Sequence, residues 1–168
     1  MRSHLLWALA IGLLVTLPAR AGKATPKYKN VEAKHFDRSE GVELTPDFSD
    51  YLNAELRTEL QKTKLFSQVI GEGEVVDDAD AASSVVVSGT LTEYKKGNKA
   101  KAIIIGYGAG NRTLKMQVNV ARHSDQKDLA MFEVTVHADP RGNEKILAKE
   151  AAREVVKKIK DSLEHESA

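Results

Sequence analysis

The 168-residue chain carries 25 Lys and Arg against 24 Asp and Glu, and it has no cysteine. That balance excludes a nucleic-acid binder of the usual kind, which shows a strong basic surplus. The missing thiols exclude disulfides, a thiolate metal centre and a lipid carried on cysteine, so stability has to come from an ordinary packed core.

The chain starts weakly basic at Met1-Arg2-Ser3-His4, runs apolar from Leu5 to Leu17, breaks at Pro18 and reaches Ala19-Arg20-Ala21. The run is about 13 residues long, short of the roughly 20 needed to span a membrane. Its flanks predict a signal peptide over residues 1–21, cut after Ala21, and hence a protein exported to the periplasm or envelope of a Gram-negative bacterium. A buried core helix would show a polar face, and this run has almost none. Gly22 to Lys27 reads as a flexible lead-in, and residues 28–165 as a single domain.

Tyr28 to Phe36 interleaves polar and apolar residues and predicts a first strand, followed by a loop through Gly41. Thr45-Pro46-Asp47 announces a helix: Thr45 as side-chain cap, Pro46 at the first helical position, Asp47 at the positive end of the dipole. Phe48, Tyr51, Leu52, Leu56 and Leu60 then fall on one face. Leu65 to Ile70 predicts a short strand, and Asp77 to Asp80 an acidic loop without the glycine and glutamate of a calcium loop. Three longer strands follow over Ser83–Tyr94, Arg112–Arg122 and Leu129–Ala138, each alternating with period two. Asn143 is placed to cap a last helix with Leu147, Ala151, Val155, Ile159 and Leu163 on its inner face, its outer Lys and Arg interleaved with Glu150 and Glu154 as a solvated, ion-paired surface. The order predicts an α+β fold: a mainly antiparallel sheet of about five strands with two helices on one face.

Nothing along the chain has the spacing of a catalytic or metal site. The cluster Gly106-Tyr107-Gly108-Ala109-Gly110 has its third glycine at the wrong spacing for a dinucleotide fingerprint and a strand where the helix should follow, and it lacks the lysine of a phosphate loop. His35, His123, His137 and His165 are widely separated, although His35 and His137 could meet across a sheet. No serine stands in a nucleophile elbow. The expectation is a protein without cofactor or metal, and not an enzyme.

The stretch Gly89-Thr90-Leu91-Thr92-Glu93-Tyr94-Lys95-Lys96-Gly97-Asn98, then Gly106 to Gly110, then Leu114-Lys115-Met116-Gln117-Val118, resembles the bacterial family known as domain of unknown function 4410. The resemblance rests on Gly89, Gly97, Asn98, Gly106, Gly108 and Gly110, and extends to the helix from Pro46 and the strand at Leu65. It implies an envelope protein with no established activity. Many members begin at a lipid-bearing cysteine; this chain has none, so a lipid tether is not implied. Arg122-His123-Ser124-Asp125-Gln126 also replaces the usual D-x-x-T-G hairpin. At the level of layout the family is similar to the periplasmic domain of the curli secretion channel.

Ala100 to Gly110 combines three isoleucines with glycines around a tyrosine, flanked by Lys99, Lys101 and Arg112. Two readings stand: a buried strand running into a glycine bend, or an exposed edge of high β-propensity that pairs with a partner. The second makes Ile103, Ile104, Ile105 and Tyr107 a contact surface for self-association, another envelope protein or the membrane surface. Two functions follow: a non-enzymatic envelope protein acting through such contacts, or a periplasmic small-molecule-binding or hydrolytic domain. The latter needs a pocket, for which Glu93, Tyr94, Asn98, Tyr107 and Arg112 are the candidates.

Overall fold

A computed structural model describes residues 28–74, 78–105 and 110–166. The expected signal peptide, its cleavage point after Ala21 and the lead-in at 22–27 lie outside the described residues, as do Gly106, Tyr107 and Gly108. Ten elements follow in chain order: β1 (Asn30–Ala33), β2 (Asp37–Arg38), α1 (Phe48–Thr63), β3 (Gln68–Gly71), α2 (Asp78–Ala81), β4 (Ser84–Lys95), α3 (Lys99–Ile105), β5 (Arg112–Arg122), β6 (Asp128–Ala138) and α4 (Glu144–Glu166).

The sheet has six strands in the order β3-β1-β4-β5-β6, with β2 also pairing to β4. β4–β5 and β5–β6 form the expected antiparallel meander. β1 lies parallel to both β3 and β4, and β2 parallel to β4, so the sheet is mixed. The cause is α1: it carries the chain from one end of the sheet back to the other, and a helical return of this kind makes its flanking strands parallel.

The two long helices pack on each other and on the sheet. Phe48, Leu52, Leu56 and Leu60 of α1 and Leu147, Ala151, Val155 and Ile159 of α4 are buried in one core with Val85, Val87 and Leu91 of β4 and Leu114, Met116, Val118 and Val120 of β5. The alanines of α4 let the helices approach closely; the leucines fill the space that leaves. The structure adds two short helices, α2 and α3, to the two expected. α2 replaces the predicted acidic loop; the carbonyl of Asp80 accepts from the hydroxyls of Ser83 and Ser84 at its end.

Asn143 does cap α4, its Oδ1 accepting from the amide of Ile146 at 3.0 Å. Thr45 does not cap α1 with its side chain: its hydroxyl donates to Glu144, and only its carbonyl meets the helix, accepting from the Phe48 amide at 3.1 Å. The outer face of α4 pairs across elements: Arg153 reaches Glu59 of α1 at 3.4 Å, and the ammonium of Lys158 donates to the backbone carbonyl of Glu133 at 2.8 Å. No helix among the described residues is long and apolar enough to cross a membrane.

Candidate functional site: the α3 end of the domain

Gly97 and Asn98 lead the chain off β4, and Gly110 brings it back into β5. These two arms cross. Gly110 has φ +75°, a conformation open to glycine at no steric cost, and its carbonyl accepts from the Asn98 amide at 2.7 Å. A Cβ on Gly97 would stand 2.6 Å from the Gly110 carbonyl oxygen, 2.6 Å from Cβ of Pro140 and 2.9 Å from Cγ of Arg112. No larger residue fits there. The third described glycine of the motif, Gly89, has the Phe36 ring where its side chain would be, 2.5 Å away.

Arg112 locks the crossing to the rest of the molecule. It is 6% exposed. Its Nε and Nη2 donate to the carbonyl of Asp139 at 3.2 and 3.1 Å, and Nη2 donates to the carbonyl of Asn143 at 3.1 Å. One side chain therefore ties the start of β5 to the end of β6 and the entry of α4. Asp139 turns its carboxylate outward to Arg141, whose Nη2 donates to Oδ2 at 2.6 Å. That pairing, with the Arg141 backbone amide and the positive charge of Arg112, holds the Asp139 carboxyl down at about 2.

α3 stands on this mount. Asn98 caps it, Oδ1 accepting from the Lys101 amide at 3.1 Å and the carbonyl from Ala102 at 3.2 Å. Ala100 and Ala102 favour the helix, and the cap overrides the β-propensity of the isoleucines. The expectation of a strand in this segment, buried or at an edge, is corrected: it is a helix, and Ile103 and Ile104 are 73% and 82% exposed. The side chain of Ile105 lies outside the described residues.

Tyr107 lies outside the described residues, and the other four candidates for a pocket are engaged elsewhere. Arg112 is committed to backbone carbonyls, Asn98 to the cap, and Tyr94 packs partly buried against the core. Glu93 lies on the outer sheet face between Lys115 at 2.8 Å and Lys95 at 2.7 Å, and hydrogen bonds from these two hold its carboxyl at about 2. Ordinary values for Glu and Asp are 4.5 and 3.8. Depressed folded-state values stabilise the fold above those pH values, and the contribution is lost as pH falls toward 2. Urea unfolding midpoints should therefore drop between pH 5 and 2.5, and the Glu93→Gln, Asp139→Asn double variant should show a flatter profile over the same window.

His35 and His137 do not meet. His137, on the edge strand β6, contacts Thr113 Oγ1 at 3.1 Å, with β4 and β5 standing between it and β1. His35 instead sits between two carboxylates invisible to sequence spacing, Nδ1 at 2.8 Å from Glu72 and Nε2 at 3.3 Å from Asp50. Its two nitrogens face different partners on opposite edges of the ring. Among the described residues no group of three His, Asp or Glu could hold a metal. His123 lies 3.5 Å from Glu32, a buried carboxylate on β1.

The outer sheet face carries one shallow depression of about 200 Å³, lined by Asp37, Ser88, Thr90, Gln117, Asn119 and Met131 among others. Met131 is 64% exposed. The lining holds no histidine or lysine.

No curated protein matches the chain. Among solved structures, the PelC dodecamer from Paraburkholderia phytofirmans is similar at 14% identity and a TM-score of 0.57, over 81% of this chain and 91% of that one. A protein of the family DUF330 from Xanthomonas campestris is similar at 12% identity and 0.56, over 86% and 91%. A hypothetical protein from Chlamydia trachomatis is similar at 10% identity and 0.52, over 81% and 98%. At such identities the likeness is one of fold. The family model described as a domain of unknown function, DUF4410, matches residues 37–139. That span runs from the start of β2 to just past β6 and takes in both arms of the glycine crossing, and the chain belongs to the DUF4410 family.

Proposed function

We propose that this is an exported envelope protein without enzymatic activity that works in the periplasm by self-association. The observation that carries the reading is the pair Ile103 and Ile104, held in solvent on a short helix whose base is fixed by the Gly97–Gly110 crossing and by Arg112. Burying an isoleucine is worth about 1.5–3 kcal/mol. A seven-residue helix is marginal alone, so a mount this constrained for two exposed apolar tips is best explained by a surface that covers them. The similar PelC structure is a dodecamer, which supports assembly of this fold. The signal-like residues 1–21 support export. The engagement of Glu93, Asn98 and Arg112 in pairing, capping and clamping supports contact over catalysis.

The test is the native mass of the protein released gently from the bacterial envelope, by light scattering after gel filtration. A discrete oligomer is expected, and Ile104→Lys should give a monomer with an unchanged melting temperature. A wild-type monomer at tens of micromolar would sink the proposal, and so would global unfolding of the variant.

A further inference from the structure

We infer that α3 docks head-to-tail onto a second copy of the chain, seating Ile103 and Ile104 on the outer sheet face around Met131; this rests on the self-association reading. Among the described residues the large hydrophobics left in solvent are few: Ile103, Ile104, Met131 and Ile146. Met131 is the one that stands on the open sheet face, beside the shallow depression. Its neighbours there are polar, so it forms an isolated apolar spot. A flexible thioether is well suited to receive an aliphatic tip.

Charge agrees with the pairing. Lys99 and Lys101, both exposed, flank the isoleucines at the base of α3. Exposed Asp128 and Glu133 stand near Met131 on β6, and exposed Asp37 lines the far side of the depression across β4 and β5, while the amide of Asn119 holds Asp128 at 2.8 Å. A basic rim around an apolar tip thus faces an acidic rim around an apolar seat, the arrangement that fixes register in a specific contact.

Geometry makes the contact intermolecular. α3 springs from the end of the sheet where Thr113 pairs with Lys95 and His137, whereas Met131 pairs with Asn119, six residues further along β5. Six residues of strand span about 20 Å, and a helix the length of α3 reaches about 10 Å. The two patches lie at different places on one surface, so their contact is heterologous. Repetition of such a contact closes a ring or propagates a filament, and does not stop at a two-fold dimer.

The absence of native cysteine makes the test clean. Ile104→Cys and Met131→Cys are prepared separately, mixed, oxidised and run on a non-reducing gel. A cross-linked pair in the mixture, with at most a trace from either variant alone, is expected. A strong dimer from Ile104→Cys alone would mean a two-fold contact and overturn the inference. A wild-type oligomer that yields no mixed cross-link would also overturn it while leaving self-association standing. A wild-type monomer would remove both, as would a monomer that binds phosphatidylglycerol vesicles through Ile103 and Ile104.

Discussion

Arg112→Ala is expected to destabilise the fold by about 3 kcal/mol, lowering the melting temperature by roughly 10 °C. The guanidinium satisfies the carbonyls of Asp139 and Asn143 from a buried position, and hydrogen bonds with a charged partner are worth about 1.5–3 kcal/mol each. Alanine removes the charged donor from both carbonyls, leaving Asp139 only the Gly142 amide and Asn143 only the Leu147 amide, and opens space beside Gly97. Arg112→Lys should recover less than half of the loss, because one ammonium cannot reproduce a planar fork that reaches two acceptors. Urea unfolding followed by circular dichroism measures both. A melting temperature within about 2 °C of wild type for the alanine variant would show the clamp to be dispensable. The same structural role disqualifies Arg112→Ala as a probe of ligand binding, since it weakens the fold whether or not a ligand exists.

Gly97→Ala is expected to cost about 2–3 kcal/mol, the upper range for forcing a methyl into a filled site. Two of the three atoms it would strike belong to the Gly110 carbonyl and the Pro140 ring, neither the far end of a flexible side chain. Relief requires the two arms to move apart, which lengthens the Asn98–Gly110 hydrogen bond and tilts α3. Arg112 Cγ is the third wall. In an Arg112→Ala background that wall is gone, so the double variant should be less destabilised than the sum of the singles. Strict additivity would show that the two residues do not share a packing unit.

Much of this architecture was legible. The sequence predicts β5 with the bounds observed, because a strand with one face in the core alternates without interruption through Leu114, Met116, Val118 and Val120. The helix of Phe48 to Thr63 showed its stripe, and Asn143 its cap. The interleaving over Tyr28–Phe36 overstates the length of β1 and hides its parallel pairing, because Asn30-Val31-Glu32-Ala33 alternates like a half-exposed strand although all four residues are buried between two neighbours. The predicted loop after Phe36 holds β2, whose two residues are too few for any period.

The candidate site was legible in composition and not in geometry. Three consecutive isoleucines speak for a strand by local propensity, and what makes them a helix is a cap at Asn98 and a return at Gly110, twelve residues apart and joined only in space. The glycines are visible as a family motif, whereas the physical reason for Gly97, a chain crossing under Pro140 and Arg112, depends on a turn that follows β6. The engagement of Glu93 and Arg112 is equally hidden from the sequence: Lys115 reaches Glu93 from β5, and the carbonyls that hold Arg112 come from the turn after β6.

The arrangement of the elements also constrains how the chain folds. β1 is enclosed between β3 and β4, and α1 finds its principal helical neighbour in α4, the last element of the chain. A chain emerging N-terminus first gives β1 and α1 an early neighbour in β3 but leaves them without β4 and α4 until later, while the local meander β4-β5-β6 can pair as it appears. Completion waits for α4 to cover the inner face of the sheet. Such a sequence lacks a finished core until its last helix docks, so the meander forms early and the closing of the core comes late.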